Sequence, residues 1–262
     1  MGNNNIASVE RALDVLLLLY GEGKEMGVSE IAGHLGLYKS TIYRTLVTLQ
    51  EKHFIQKNEN TDKYWLGPSL YTIGMMVAST YSLVDFVAPE ADALYENVKD
   101  VVNVSILHVD PLNGYRSVVI YKSGGSQQIL GINPGIGSGM EAYASAVGKC
   151  MLAFNDIDWQ IIEHAGFHAY TGNTLTHADA LRNNLKQVRE NGYAVDNEER
   201  EIGLFCVGVP IFNKYGHAIA AVSISGPKER VCNANFMEKL SLLKRCAQRI
   251  SLSTKEIKET IR

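Results

Sequence analysis

Val28-Ser-Glu-Ile-Ala-Gly-His-Leu-Gly36 and Tyr38-Lys-Ser-Thr-Ile-Tyr-Arg-Thr-Leu-Val-Thr-Leu-Gln-Glu-Lys-His53 read as two short helices separated by a glycine turn. Ile31 and Leu35 fall on the buried face of the first, and Ser29 can cap it. On the second, Ile42, Leu46 and Leu49 recur at i, i+4 and i+7 and form one narrow apolar stripe. At about 100° per residue, Ser40, Arg44, Val47, Thr48 and Glu51 point away from that stripe, with Thr41 and Tyr43 beside them. Two short helices with polar outer faces also occur in many small helical domains.

The next fifteen or so residues give the helix pair a direction. Phe54-Ile-Gln-Lys57 and Lys63-Tyr-Trp-Leu66 are strand-like, and Asn58-Glu-Asn-Thr-Asp62 between them is a polar turn. A hairpin directly behind a helix-turn-helix is a wing. Hydroxyls and an arginine near the start of the second helix suit base edges in a major groove, where a guanidinium can pair with guanine in bidentate fashion. The candidate contacts to double-stranded DNA are therefore Lys39, Ser40, Thr41, Tyr43, Arg44 and Thr48, with Lys57 and Lys63 of the wing on backbone phosphates. The electrostatic footprint is local. Residues 1–67 carry seven Lys/Arg against eight Asp/Glu, but residues 39–65 carry five against three. Such a footprint predicts salt-sensitive binding that needs a dimer.

Outside this module, 262 residues fit one small and one medium domain, each able to bury a core. A formal net charge of -3 argues against a membrane surface or a general nucleic-acid coat as the main partner. Val15-Leu-Leu-Leu-Leu-Tyr20 is too short to span a bilayer and has no cationic flank or cleavage site. It reads as the buried side of a first helix, Val9 to Tyr20, capped by Ser8. Cys150, Cys206, Cys232 and Cys246 form no C-x-x-C pair, which suggests a reduced, cytoplasmic protein. Asn103-Val-Ser105 matches a glycosylation sequon that has no meaning without secretion.

Gly67-Pro68 punctuates the wing. A linker helix is expected over residues 68–85, with Leu70, Ile73, Gly74 and Val77 at helical spacing, and another helix from Ala88-Pro89. Residues 86–262 then read as an α+β domain. Val102–Val109 and Tyr115–Tyr121 form a hairpin across Asp110-Pro-Leu-Asn-Gly114, and Leu204–Ile211 and Ala218–Ser225 form a second. Helices are expected at Met140–Phe154, Asp158–His164, Ala178–Asn191 (behind a capping box beginning at Thr176) and from Asn233 onward. Successive hairpins imply an antiparallel sheet flanked by helices.

These residues resemble the IclR family of bacterial transcriptional regulators across nearly the whole chain. The matching runs in the first domain are Ser8-Val-Glu-Arg-Ala-Leu13, Ser29-Glu-Ile-Ala32, Lys39-Ser-Thr-Ile-Tyr-Arg44 and Tyr64-Trp-Leu-Gly67. Those in the second are Ala144-Ser-Ala-Val-Gly-Lys149, Gly192-Tyr-Ala-Val-Asp-Asn-Glu-Glu199, Gly203-Leu-Phe-Cys206 and Ala221-Val-Ser-Ile-Ser-Gly-Pro227. The resemblance implies a winged helix-turn-helix joined to a GAF-like effector domain, acting as a homodimer or homotetramer on operator DNA, with no cofactor. It implies a small organic acid, sugar acid or aromatic acid as effector. Carried over residue by residue, the effector site comprises backbone N–H groups of Ala146, Val147 and Gly148, side chains of Asp196, Cys206, Ser223 and Ser225, and apolar walls at Ile129, Ile132 and Leu204. A helix start offers free N–H groups to a carboxylate, and Ser223 and Ser225 share one face of a strand. Without the resemblance, a cysteine such as Cys206 is more often a small buried apolar residue than a ligand contact, and Asp196 could cap or cross-link a loop. The family often has Pro-Leu-His before its Ala-Ser-Ala-Val-Gly-Lys motif. Here Glu141-Ala-Tyr143 stands in that place and is expected to alter the mouth of the pocket.

Catalytic readings have less support. Gly135-Ile-Gly-Ser-Gly-Met140 breaks the dinucleotide pattern and lacks a Walker lysine. His164 and His168, with Cys150 or Cys206, have no recognised metal-ligand spacing. A small-molecule hydrolase built around Asp196, Glu198 and Glu199, with a helical accessory module, is the alternative from another class.

Overall fold

The computed structural model describes residues 5–80, 83–110, 113–124 and 134–254. The chain divides into two compact units, residues 1–81 and 82–262.

In the first unit, α1 (Ala7–Glu22), α2 (Val28–Leu35) and α3 (Lys39–Glu51) precede a two-stranded ribbon, β1 (Ile55–Asn58) and β2 (Lys63–Leu66), and then α4 (Pro68–Thr80). Val15, Leu19, Met26, Ile31, Ile42, Leu46, Ile55 and Tyr64 close one core, so the apolar stripe on α3 is indeed the inward one. The caps differ from expectation. The first helix begins at Ala7 with Ile6 at its N-cap, which places Ser8 inside the helix. The N-cap of α2 is Gly27, and it is Glu30 that reaches back, accepting the Gly27 N–H at 2.7 Å. A carboxylate at the third position thus takes the role expected of Ser29. The wing is braced at its base: Met26 and Tyr64 exchange backbone bonds of 3.0 and 2.8 Å. At its turn, Glu25 accepts from Asn58 and Thr61. Gly67 is required sterically, since a Cβ there would lie 2.3 Å from the His53 carbonyl oxygen.

The second unit begins with α5 (Leu83–Val98), which starts earlier than expected and holds Pro89 in its interior. Then come β3 (Val101–Asp110), β4 (Gly114–Ser123), β5 (Gly139–Glu141), a 3-10 turn at Ala142–Ala144 and α6 (Ala146–Ala153). The expected long helix from Met140 is therefore a strand, a turn and a shorter helix. After α7 (Trp159–Ala165) and α8 (Ala178–Asn191) come β6 (Ala194–Asn197), β7 (Leu204–Phe212), β8 (Ala218–Pro227), α9 (Lys228–Val231) and α10 (Phe236–Ser253). At α8 the N-cap is His177, which makes no side-chain capping bond, so the box expected at Thr176 is not formed.

Six strands form one antiparallel sheet in the order β5-β4-β3-β8-β7-β6. The period of two in each strand separates its faces chemically. Val102, Val104, Phe205, Val207, Val209, Ile211, Ala220, Val222 and Ile224 pack with residues of α5 and α10. The alternate positions are small or polar: Asn103, Ser105, Cys206, Gly208, Ala221, Ser223 and Ser225. That second face lies under α6, which is itself buried along its whole length and packs with α8.

Candidate functional site

Pairing register turns the small-residue face into a grid. One row runs Asp196, Cys206, Ser225, Val101 across β6, β7, β8 and β3. The next runs Ala194, Gly208, Ser223, Asn103, Lys122. The third brings Ala221, Ser105 and Val119 together. Gly208 lets the helix descend onto this floor. A Cβ at 208 would lie 3.0 Å from the carbonyl carbon of Ala146 and 3.1 Å from the amide nitrogen of Val147. Cys150 adds a contact from the same helix, donating its thiol to the Gly208 carbonyl at 3.2 Å.

Between the helix start and the floor is a cavity of about 50 Å³, lined by Asn103, Ser105, Ala146, Val147, Asp196, Arg200, Leu204, Cys206, Ser223 and Ser225, among others. Its volume corresponds to about three or four ordered waters. Ala146 and Val147 are the first residues of α6, whose N–H groups a helix cannot bond internally. They form the positive end of the helix. Seven residues expected from the sequence therefore line one cavity: Ala146, Val147, Asp196, Leu204, Cys206, Ser223 and Ser225.

Gly148, expected among them, does not offer its amide to a ligand. Its N–H is taken by the Ser145 hydroxyl at 3.0 Å. A Cβ at 148 would sit 2.3 Å from the Ala142 carbonyl oxygen, so the glycine is there for the close approach of residues 142–145. Ile129 and Ile132 lie outside the described residues.

Among the lining residues that were not anticipated, two on β3 stand out. Asn103 and Ser105 are two apart on β3, 6% and 1% exposed, and neither Asn103 Oδ1 nor Ser105 Oγ has a hydrogen-bond partner among the described residues. Leaving such an atom unpaired costs roughly 1–3 kcal/mol. The signal in the sequence was two polar residues alternating with valines on a central strand.

Charge surrounds the cavity in a buried network. Lys149, fully buried, gives its ammonium to Glu199 Oε1 at 2.5 Å. Asp196 Oδ1 accepts the Glu199 amide at 2.8 Å. Burial pushes the Asp196 carboxyl up to about 6, and the neighbouring Glu199 charge adds to the rise. Burial also pushes the Cys206 thiol well above its ordinary range, so it is a neutral, unreactive group here. At the edge, Glu141 pairs with both Arg116 and Arg200. Burial would raise its carboxyl, but hydrogen bonds and the two guanidiniums hold it below the usual carboxylate range. Arg200 stacks on the Tyr170 ring at 3.7 Å and is thereby fixed at the cavity wall. Tyr143 is turned elsewhere: its hydroxyl accepts the His168 N–H at 2.6 Å and contacts that residue's carbonyl at 3.1 Å.

In the first unit, Ser40, Thr41, Tyr43, Arg44 and Thr48 line one groove on the outer face of α3, joined by Ser8 and Arg11 of α1. Thr48 donates to the Arg44 carbonyl at 3.0 Å, which leaves its lone pairs outward. Both wing lysines already have acidic partners: Lys57 is 2.6 Å from Asp62, and Lys63 is 3.4 Å from Glu30.

Models of two parts of one family match this chain: the IclR helix-turn-helix domain over residues 8–59, and the bacterial transcriptional regulator IclR C-terminal domain over residues 75–252. The chain belongs to the IclR family. The HTH-type transcriptional regulator KdgR of Escherichia coli is 32% identical over 250 residues, covering 95% of this chain and 92% of that one. The crystal structure of an IclR regulator from Alicyclobacillus acidocaldarius superposes with a TM-score of 0.75 at 27% identity, covering 95% of this chain and 98% of that one. An IclR homologue from Microbacterium hydrocarbonoxydans, complexed with 4-hydroxybenzoate, shares the fold at 19% identity with a TM-score of 0.71, over 94% and 98% of the two chains. As an IclR-family member the chain is a ligand-responsive, DNA-binding transcriptional regulator, and the hydrolase alternative is set aside. Among the described residues no helix is long and apolar enough to cross a membrane.

Proposed function

We propose that the cavity beneath α6 receives the carboxylate of a small organic acid, and that its occupancy changes the affinity of the chain for an operator. The observation that carries this reading is the start of α6, set by Gly208 onto a floor of small and polar side chains and aimed into the cavity between them. N–H groups at a helix start are a ready anion site; Cys206, Ser223 and Ser225 add no charge, and the Arg200 guanidinium in the same lining offsets the charge that Asp196 carries when ionised. The likeness to the homologue complexed with 4-hydroxybenzoate is one of fold, and it fits an acid as ligand.

In this reading residues 1–67 contact DNA, residues 68–85 connect, and residues 86–262 take the effector. Arg44 reads a base edge, with Ser40, Thr41 and Thr48 beside it. Lys39, Tyr43, Lys57 and Lys63 hold backbone phosphates. The protein acts in the cytoplasm as a homodimer or homotetramer, whose paired α3 helices would enter major grooves about 34 Å apart or a multiple of that. An effector shifts such an equilibrium only if it binds one arrangement more tightly than the other.

The test is an operator duplex selected from random sequence by repeated binding, then titrated with protein in the presence of aliphatic, hydroxylated and aromatic acids. At least one acid is expected to move the dissociation constant several-fold. Unchanged affinity with every acid would refute the reading.

A further inference from the structure

The carboxylate accounts for only one side of the cavity. The β3 side is polar and buried, and its polar atoms are unspent. Asn103 stands across the ladder from Ser223, and Ser105 stands across from Ala221 on the next row of the same face. Both line the cavity, both are more than nine-tenths buried, and Asn103 Oδ1 and Ser105 Oγ have no hydrogen-bond partner among the described residues. The other strand residues over these rows, Val102 and Val104, point to the opposite, fully apolar core. A wall meant for a methyl chain or an aromatic ring needs no such pair, because burying unpartnered polar atoms there is unfavourable. A wall meant for hydroxyls needs acceptors at this spacing. Alcohol groups two or more carbons from a carboxylate can donate to the Asn103 carbonyl oxygen and exchange a bond with the Ser105 hydroxyl.

We propose that Asn103 and Ser105 form a hydroxyl-reading subsite, and that the effector is a hydroxylated organic acid rather than an aliphatic or aromatic one. This rests on the reading of the α6 cavity as an acid site. The carboxylate end sets general affinity, and the β3 end sets which acid is chosen. Sites built to hydrogen-bond a hydroxyl discriminate strongly against analogues lacking it, because their own polar groups are then left unpaired.

The test uses the full chain and three matched pairs of probes: glycerate and propionate, threonate and butyrate, gluconate and hexanoate. Binding is followed by calorimetry, and stability by thermal unfolding. In at least one pair the hydroxylated acid is expected to bind about tenfold or more tightly than its deoxy partner. Ser105→Ala and Asn103→Leu should erase that preference, the loss of affinity falling on the hydroxylated acid. Ser105→Ala removes only an unpaired hydroxyl, so the ligand-free melting temperature should stay level or rise while the shift caused by the hydroxylated acid shrinks. Deoxy acids that bind as well as or better than their partners would overturn the subsite and leave the acid site standing. Equal losses for both members of a pair in the variants would overturn it as well. If no acid of either kind binds, the acid site fails and the subsite with it.

Discussion

Gly208 of β7 lies directly beneath Ala146, the first residue of α6, close enough that a single added methyl would meet the Ala146 carbonyl carbon at 3.0 Å. This contact brings the helix start onto the sheet and so makes the cavity. Gly208→Val should force α6 outward. Overpacking of this kind costs about 1–3 kcal/mol, and the displaced helix start should lose affinity for every acid alike. Gly208→Ala should do the same more weakly. Denaturant midpoints together with calorimetric titration check both effects; a valine variant of unchanged stability and affinity would show that the close approach is dispensable.

The Lys149–Glu199 pair holds α6 from the other side. Both charges are buried, so removing one leaves the other without compensation. Lys149→Met should destabilise the second unit by about 3–5 kcal/mol. Adding Glu199→Leu to that variant should restore much of the loss, because the orphaned carboxylate is then gone. A double-mutant cycle in urea measures the coupling, and additive losses would contradict a direct pair.

Asp196 predicts a pH dependence whose sign follows from its surroundings. Its carboxyl is raised to about 6 in the fold by burial, against 3.8 for a free carboxyl. Between those values the folded chain binds the proton that the unfolded chain has released. Stability should therefore fall as pH rises from about 4 through 6, and stay at the lower level above. The charged groups near it are Glu199 and Lys149. An anionic effector binds more readily when Asp196 is neutral, so its affinity should rise as pH falls through about 6. Asp196→Asn should flatten both profiles over that range.

The wing lysines predict an unusual gain. Asp62 is spent on Lys57, and it sits in the left-handed region, φ 54°, which asparagine also tolerates. Asp62→Asn should free Lys57 and tighten binding to operator and scrambled duplexes equally, by a few-fold at low salt. Lys57→Ala and Lys63→Ala should weaken both duplexes equally. Arg44→Ala should weaken the operator by about 1–3 kcal/mol and spare the scrambled duplex. Anisotropy titrations at two salt concentrations separate these cases, and an equal loss on both duplexes for Arg44→Ala would remove it as a base reader.

How legible these features were depended on how local their cause is. The helices of the first unit and both long hairpins follow from spacing and turn residues within a dozen positions, and they appear where the pattern places them. The short edge strands β5 and β6 did not, because three or four residues carry no alternation and owe their pairing to β4 and β7. Ser8 and Ser29 looked like caps by residue type, but the helices begin before them and leave them on the first turn. At the cavity, the residues on α6, β7 and β8 were found through motifs. Asn103 and Ser105 were missed because their meaning depends on register with β8, and only the fold reveals that their polar atoms are unpaired. The role of Glu141 as a joint partner of Arg116 and Arg200 likewise joins positions far apart in the chain.

Control of operator binding by an acid held beneath α6 is tested most directly by comparing the native chain with Ser223→Leu. That substitution fills the cavity floor and lies in the second unit, whereas α3 belongs to the first. Operator affinity is measured for both with and without a saturating acid, after thermal unfolding confirms that the variant is folded. The predicted result is a several-fold acid-dependent change in the native chain and none in the variant, with both binding the operator when acid is absent. The same acid-dependent change in both proteins would place control elsewhere and contradict an effector site beneath α6.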